Sequence, residues 1–349
     1  GERFNVSQLL LNEDYEPDAI ARDNEIRRMA TARNIAFHSF TDQVIFAKNQ
    51  VFKSDATPYT VFTPYSRRWK SLLSETTIPA YNSEALFDNF YKYNSFTMPS
   101  LAEIDFEATG VSWKAPSISD DVLKNYSETR NFPAVENGTS HLSVHLRFGT
   151  LSIRKMVQKA LTTNEQFLNE LIWREFFMMI LYNFPKVVRH SFKPRYDEIK
   201  WRNNEAEFEK WCQGQTGYPL VDAGMRELNA TGYMHNRVRM VVASFLIKHL
   251  LIDWRWGEAY FAQKLLDYDL AANNGNWQWT AGSGCDAAPY FRVFNPIEQL
   301  KKFDAQQQYV RRWVPEIDIP SYPTPIVEHS FARNRVLEEF KRALDSSGF

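Results

Sequence analysis

Read for the alternation of apolar and polar positions, the chain divides into three textures. Residues 6–11, 35–40 and 43–46 read as strands, and residues 18–34 between the first two carry a helical mixture. Strand, helix and strand in succession predict an α/β layer. One such unit cannot cover both faces of a parallel sheet, so the chain is expected to start partway through a Rossmann-like domain. From 76 to 125 the periodicity fades and Pro, Ser and Asn gather, as in Met98-Pro99-Ser100 and Lys114-Ala115-Pro116-Ser117, which predicts a long surface connector. Beyond Asn125, apolar spacings of three and four over 152–161, 165–182, 206–214, 219–229, 235–250 and 256–266 predict an all-helical body. The expected organisation is an incomplete α/β domain (1–75), a connector (76–125) and a large all-α domain (126–349).

Composition narrows this without changing it. With 349 residues, 44% of them apolar, the chain can bury a large core, and its charges are dispersed. No run of eighteen apolar residues occurs, so no membrane span is expected. A start at Gly-Glu-Arg without a basic and apolar leader, and only Cys212 and Cys285, fit a soluble monomer in a reducing compartment, the cytoplasm. The formal net charge of -1 speaks against a basic nucleic-acid binder. Residues 140–312 alone, however, hold 23 Lys and Arg against 17 Asp and Glu, which allows a locally positive face.

The stretch 267–279 concentrates the candidate chemistry. Asp267 and Asp269, Asn273 and Asn274, Gly275, and Trp277 and Trp279 stand within thirteen residues. Asp, Asn and Gly are poor helix-interior residues, so a functional loop at a helix end is expected, and the run as a whole suits a cofactor. Gly138-Thr139-Ser140-His141-Leu142-Ser143 precedes a helical run, where hydroxyls and free amides suit a phosphate and equally an N-cap. Glu170, Trp173 and Arg174 share one helical face that suits a planar ligand or a plain surface ion pair. Asn236, Arg239 and Met240 share another, from which an Arg could pair with a carboxylate of 267–279. His235 alone reads as a core histidine, Trp254 alone as a core indole, and no His or Cys spacing suggests a metal.

The 138–143 run, with Tyr126 and Pro133-Ala134-Val135, resembles the flavin-phosphate loop of the photolyase and cryptochrome family. Asn169-Glu170-Leu171-Ile172-Trp173-Arg174-Glu175-Phe176 resembles a block of the same family. The 267–279 stretch, continued as Ala287-Ala288-Pro289-Tyr290-Phe291-Arg292, is the most specific part of a resemblance running from Asn12 to His329. It is closest to class I photolyases specific for cyclobutane pyrimidine dimers, and implies light-driven electron transfer from reduced FAD to a flipped-out dimer, in a bacterial cytoplasm.

The resemblance also implies roles. FAD, bent into a U, would be bound by Tyr126, Thr139, Ser140, His141, Leu142, Ser143, Phe167, Arg174, Asn236, Arg239, Asp267, Asp269 and Asn273, the last facing the flavin N5. Dimer-containing DNA would be met by Glu170, Trp173, Asn236, Arg237, Met240 and Trp279. Trp277, Trp254 and Trp201 match the family's electron chain to oxidised flavin. Tyr233 and Phe167 stand where Trp is common in relatives, which implies altered packing. In the family the second, light-harvesting chromophore belongs to the α/β domain, which is expected to be incomplete here, so its binding and identity are left open. The alternatives are a cryptochrome-type photoreceptor and a DNA-binding flavoprotein fragment without activity. Both Trp173 and Trp279, and a chain that stops soon after His329, favour repair.

Overall fold

In a computed structural model of the chain, residues 6–79, 81–92, 97–107 and 109–345 are described. Strands β1 (Gln8–Asn12) and β2 (Ala36–Phe40) pair in parallel, Gln8 opposite Ala36 and Asn12 opposite Phe40, and α1 (Pro17–Thr31) crosses between them. A parallel pair needs such a crossover. Pro17 suits the first turn of α1, where its missing N–H leaves nothing unpaired. The strand expected over 43–46 does not form. Val44 and Phe46 are buried, but the backbone N–H groups of Ile45 and Phe46 donate to the Glu175 carboxylate at 2.8 and 3.2 Å. A buried acceptor thus takes the place of a ladder.

Helix α2 (Phe62–Glu75) buries Tyr65 and Trp69 against the helical body. Between it and residue 119 the described chain is mostly exposed, with short 3-10 turns at Ser83–Asn89 and Ala102–Ile104. The remaining helices are α3 (Asp120–Lys124), α4 (Tyr126–Thr129), α5 (Ser143–Phe148), α6 (Ile153–Thr163), α7 (Glu165–Asn183), α8 (Glu205–Gln213), α9 (Pro219–Thr231), α10 (Asn236–Ser244), α11 (Trp254–Lys264), α12 (Leu270–Ala281), α13 (Pro296–Phe303), α14 (Gln308–Trp313) and α15 (His329–Asp345).

The apolar spacing explains their packing. Ile153, Met156, Val157 and Ala160 form the buried stripe of α6, whereas α7 is buried nearly all round from Leu171 onwards and is the central helix. Asn164 caps α7 by accepting from the Phe167 N–H at 3.0 Å. The helix expected over 235–250 changes pitch: α10 stops at Ser244 and Phe245–His249 form a wider π turn. That turn carries the buried Lys248 ammonium to the carbonyls of Ala281 and Tyr290, at 3.1 and 3.3 Å. One core gathers α8 to α11, α14 and α15, and a second gathers α6, α7 and residues 44–69; α12 gives Trp277 to the first and Ala271 to the second. Among the described residues no helix is long and apolar enough to cross a membrane.

Candidate functional site

The stretch 267–279 is helical from Leu270 onward, which corrects the loop expected there. Asp269 is the N-cap, its carboxylate accepting from the Ala272 N–H at 2.8 Å. The unfavourable interior residues are held by other elements. The Asn274 amide donates to the Val187 carbonyl at 3.1 Å, Gln278 donates to the same carbonyl at 2.9 Å, and the Asn273 amide donates to the Glu258 carboxylate at 3.0 Å. At Gly275 a Cβ would come within 2.2 Å of the Phe177 ring, so a glycine is needed for α12 to lie this close to α7. Tertiary contacts outweigh a propensity of about 1 kcal/mol per residue.

Helices α7, α10 and α12, with α4, α5 and the end of α11, surround a cavity of about 560 Å³, within the range of small-molecule sites. Tyr126, Ser140, Ser143, Phe167, Glu170, Trp173, Arg174, Asn236, Arg239, Met240, Asp267, Asp269, Asn273, Trp277 and Trp279 all line it. The two helical faces inferred from spacing thus converge on one space. The Arg239 guanidinium donates to both Asp267 oxygens, at 2.9 and 3.2 Å, and through Nε to the Met234 carbonyl at 2.7 Å. The Asp267 side chain is 4% exposed, so the pair is a fixed, mostly desolvated feature of the wall. Arg174 donates to the carbonyls of Gln43 and Leu146, at 2.6 and 3.2 Å, and burial lowers its pKa. Trp173 lies flat on Phe62 of α2 at 3.6 Å, which fixes the plane of its indole.

Other expected residues stand outside the lining. Thr139 stands beside the Tyr233 phenol, and His141 packs on the Tyr233 ring at 5.0 Å. Leu142 is buried at the N-cap of α5. Arg237 donates to Asn131 at 2.7 Å and lies over the Phe303 ring at 4.4 Å. Trp254 is a buried core indole, and Trp201 is half-buried against Phe340 at 5.9 Å. His235 caps α10 by accepting from the Arg237 N–H at 3.1 Å, and burial among His141 and three arginines lowers its pKa to about 3, so it is neutral at neutral pH.

Several lining residues had no local signal. Arg130 pairs with Glu170, and Gln166 donates to the same carboxylate at 2.7 Å. Arg147 pairs with Glu16 at 3.0 Å and stands 3.8 Å from Asp269. Only Gln166, one turn before Glu170, could have been found from spacing. Among the described residues no group of three or more His, Cys, Asp or Glu is placed to hold a metal ion.

Comparison with known proteins gives this geometry a family. Residues 167–321 match the FAD binding domain of DNA photolyase, and residues 2–83 match DNA photolyase. A deoxyribodipyrimidine photo-lyase of Escherichia coli is 39% identical over 97% of this chain and 79% of its own length. The chain belongs to the DNA photolyase family. The fold agrees: a class III photolyase from Agrobacterium tumefaciens superposes with a TM-score of 0.82 at 32% identity, covering 99% of this chain and 81% of that one. A Synechocystis cryptochrome gives 0.78 at 26% identity, over 97% and 80%.

As a photolyase FAD-binding domain, the cavity fits its cofactor on its own chemistry. Hydroxyls of Ser140 and Ser143 stand with Arg147 for an anionic group, the Arg239 and Asp267 pair offers fixed charge, and Phe167, Leu146, Phe261 and Leu265 supply apolar walls. The Asn273 amide nitrogen is held by Glu258, whose pKa burial raises, leaving the Asn273 oxygen as its unassigned acceptor.

Proposed function

We propose that the protein repairs cyclobutane pyrimidine dimers in DNA with light. One observation carries this reading: Trp173 and Trp279 line the same cavity as Glu170, Asn236, Met240, the Arg239 and Asp267 pair and Asn273. Flat indoles beside groups able to bond base edges suit a flipped-out pair of pyrimidines, and a dimer that stacks badly is the cheapest to extrude. Each stacking contact of this kind contributes about 1–3 kcal/mol.

When bound, reduced FAD would supply on illumination the electron that opens the cyclobutane ring and would receive it back. The residues of the chain do the rest. Tyr126, Ser140, Ser143, Phe167, Arg174, Asp267 and Asp269 hold the cofactor. Asn273 offers hydrogen bonds without an acidic proton, and Arg239, held by Asp267, would supply positive charge to a reduced, anionic flavin. Glu170 and Asn236 bond the base edges, while Arg130, paired with Glu170, keeps that carboxylate aimed. Trp277, Trp254 and Trp201 carry electrons inward to oxidised flavin.

The test is illumination of the reduced protein with an oligothymidine carrying cyclobutane dimers, following thymine absorbance against a dark control. Recovery in the light alone supports the reading. No recovery from a protein that retains FAD supports a cryptochrome, the reading that the Synechocystis likeness favours.

A further inference from the structure

Glu170 reaches the cavity with its two oxygens unequally engaged. Gln166 lies one helical turn before it on α7, and the Gln166 Nε2 donates to Glu170 Oε1 at 2.7 Å. Arg130, the residue that closes α4, gives one guanidinium N–H to the same oxygen. Its other amino group makes no hydrogen bond to the carboxylate, and among the described residues nothing donates to Oε2. All three side chains line the cavity, with those of Arg130 and Glu170 only 18% and 29% exposed.

An Arg and a carboxylate do not reach this arrangement by themselves. The planar fork of a free guanidinium meets both carboxylate oxygens through two parallel N–H···O bonds, the stronger form of the pair. Here the guanidinium is held in place from its own side. Its carbon lies 5.5 Å from the Tyr126 ring centroid. Helix α4 is also tied to the start of α7, where the Ser127 hydroxyl donates to the Asn164 side-chain oxygen at 3.3 Å and the Asn164 amide donates to the Lys124 carbonyl at 3.4 Å. With Arg130 fixed, the fork closes only if the carboxylate turns, and that turn takes Oε1 off the Gln166 amide.

We propose that Gln166 is a positioning residue for the lesion: it holds the Arg130 and Glu170 pair open, with both donors on Oε1, so that Oε2 stays free to accept an N–H from the edge of a flipped-out pyrimidine. This rests on the reading of Glu170 as a group that bonds the base edge, and it adds which oxygen does so and what keeps that oxygen available. A carboxylate inside a closed fork offers no oxygen to a base until a charge-assisted bond has been broken. As ordinary helix neighbours, Gln166 and Glu170 would steady the first turns of α7 and have no effect on a base.

The experiment uses the full FAD-loaded chain in the dark and follows, by fluorescence anisotropy, binding of an oligothymidine carrying one cyclobutane dimer and of the undamaged oligomer. Gln166→Met keeps the length of the side chain and removes its amide. It should weaken binding of the damaged oligomer about tenfold, with FAD content and binding of the undamaged oligomer unchanged. In an Arg130→Lys background, where a single ammonium cannot close a fork, the same substitution should change lesion binding by less than about twofold relative to Arg130→Lys alone. A purely structural role for Gln166 gives the same loss in both backgrounds. That outcome, or unchanged lesion binding in Gln166→Met, overturns the proposal. Glu170→Ala separates the two readings: if it leaves lesion binding unchanged, Glu170 does not meet the base and both fall. If it weakens binding while Gln166→Met behaves as wild type, only the role of Gln166 falls.

Discussion

Replacing Glu175 tests the seam between the N-terminal segment and the central helix. Its buried carboxylate accepts from the Ile45 N–H at 2.8 Å on one oxygen, and from the Phe46 N–H at 3.2 Å and the Trp69 indole at 2.7 Å on the other. In Glu175→Gln the amide oxygen keeps the Phe46 and Trp69 bonds, but its nitrogen faces the Ile45 donor. One stranded donor costs about 1–3 kcal/mol. In Glu175→Leu all three are stranded, and the loss should reach about 3–5 kcal/mol, the upper range for a single substitution. Burial also raises the carboxyl pKa from 4.5 to about 7, against the three hydrogen bonds and the nearby Arg174 charge, which pull it down. The folded state then binds the proton more tightly than the unfolded state. The contribution is fully present below about pH 4.5 and is lost as pH rises through about 7, amounting to at most about 3 kcal/mol. Urea unfolding followed by tryptophan fluorescence between pH 5 and 8 measures both effects. Wild-type stability should fall with pH relative to Glu175→Gln, and Leu should be well below Gln at every pH. Equal stabilities of the two variants, or parallel pH profiles for wild type and Gln, would refute the reasoning.

Other substitutions probe the cavity itself. Arg239→Met leaves the Asp267 carboxylate desolvated and unpaired, and should cost about 3–5 kcal/mol together with bound flavin; thermal unfolding and flavin absorbance report the two losses. Gly275→Ala would stabilise an ordinary helix, yet here its Cβ meets Phe177, so a loss of about 1–3 kcal/mol is expected on chemical denaturation. Trp279→Ala should weaken binding of a dimer-containing oligonucleotide by about 1–3 kcal/mol with FAD retained, measured by fluorescence anisotropy; an equal loss of flavin contradicts the assignment. Trp201→Phe should slow photoreduction of oxidised flavin in flash photolysis, and an unchanged rate removes Trp201 from the electron chain.

The amino-acid sequence by itself determined the broad architecture and two faces of the site. The strand, helix, strand opening and the run of amphipathic helices were legible because burial on one side imprints a period on each element. The same local geometry placed Glu170 with Trp173 and Arg174, and Asn236 with Arg239 and Met240, since residues three and four apart on a helix share a face whatever surrounds them. The tertiary structure alone decided the rest. Asn273, Asn274 and Gly275 argue locally against a helix, and α12 forms because Glu258, the Val187 carbonyl and the Phe177 ring are waiting for them. Residues 43–46 read as a strand, yet the Ile45 and Phe46 donors go to a carboxylate about 130 positions away. The Arg130 and Glu170 pair and the ring contact between Trp277 of α12 and Trp211 of α8 likewise join separate elements. Such contacts depend on how helices dock, which no periodicity within one helix can encode.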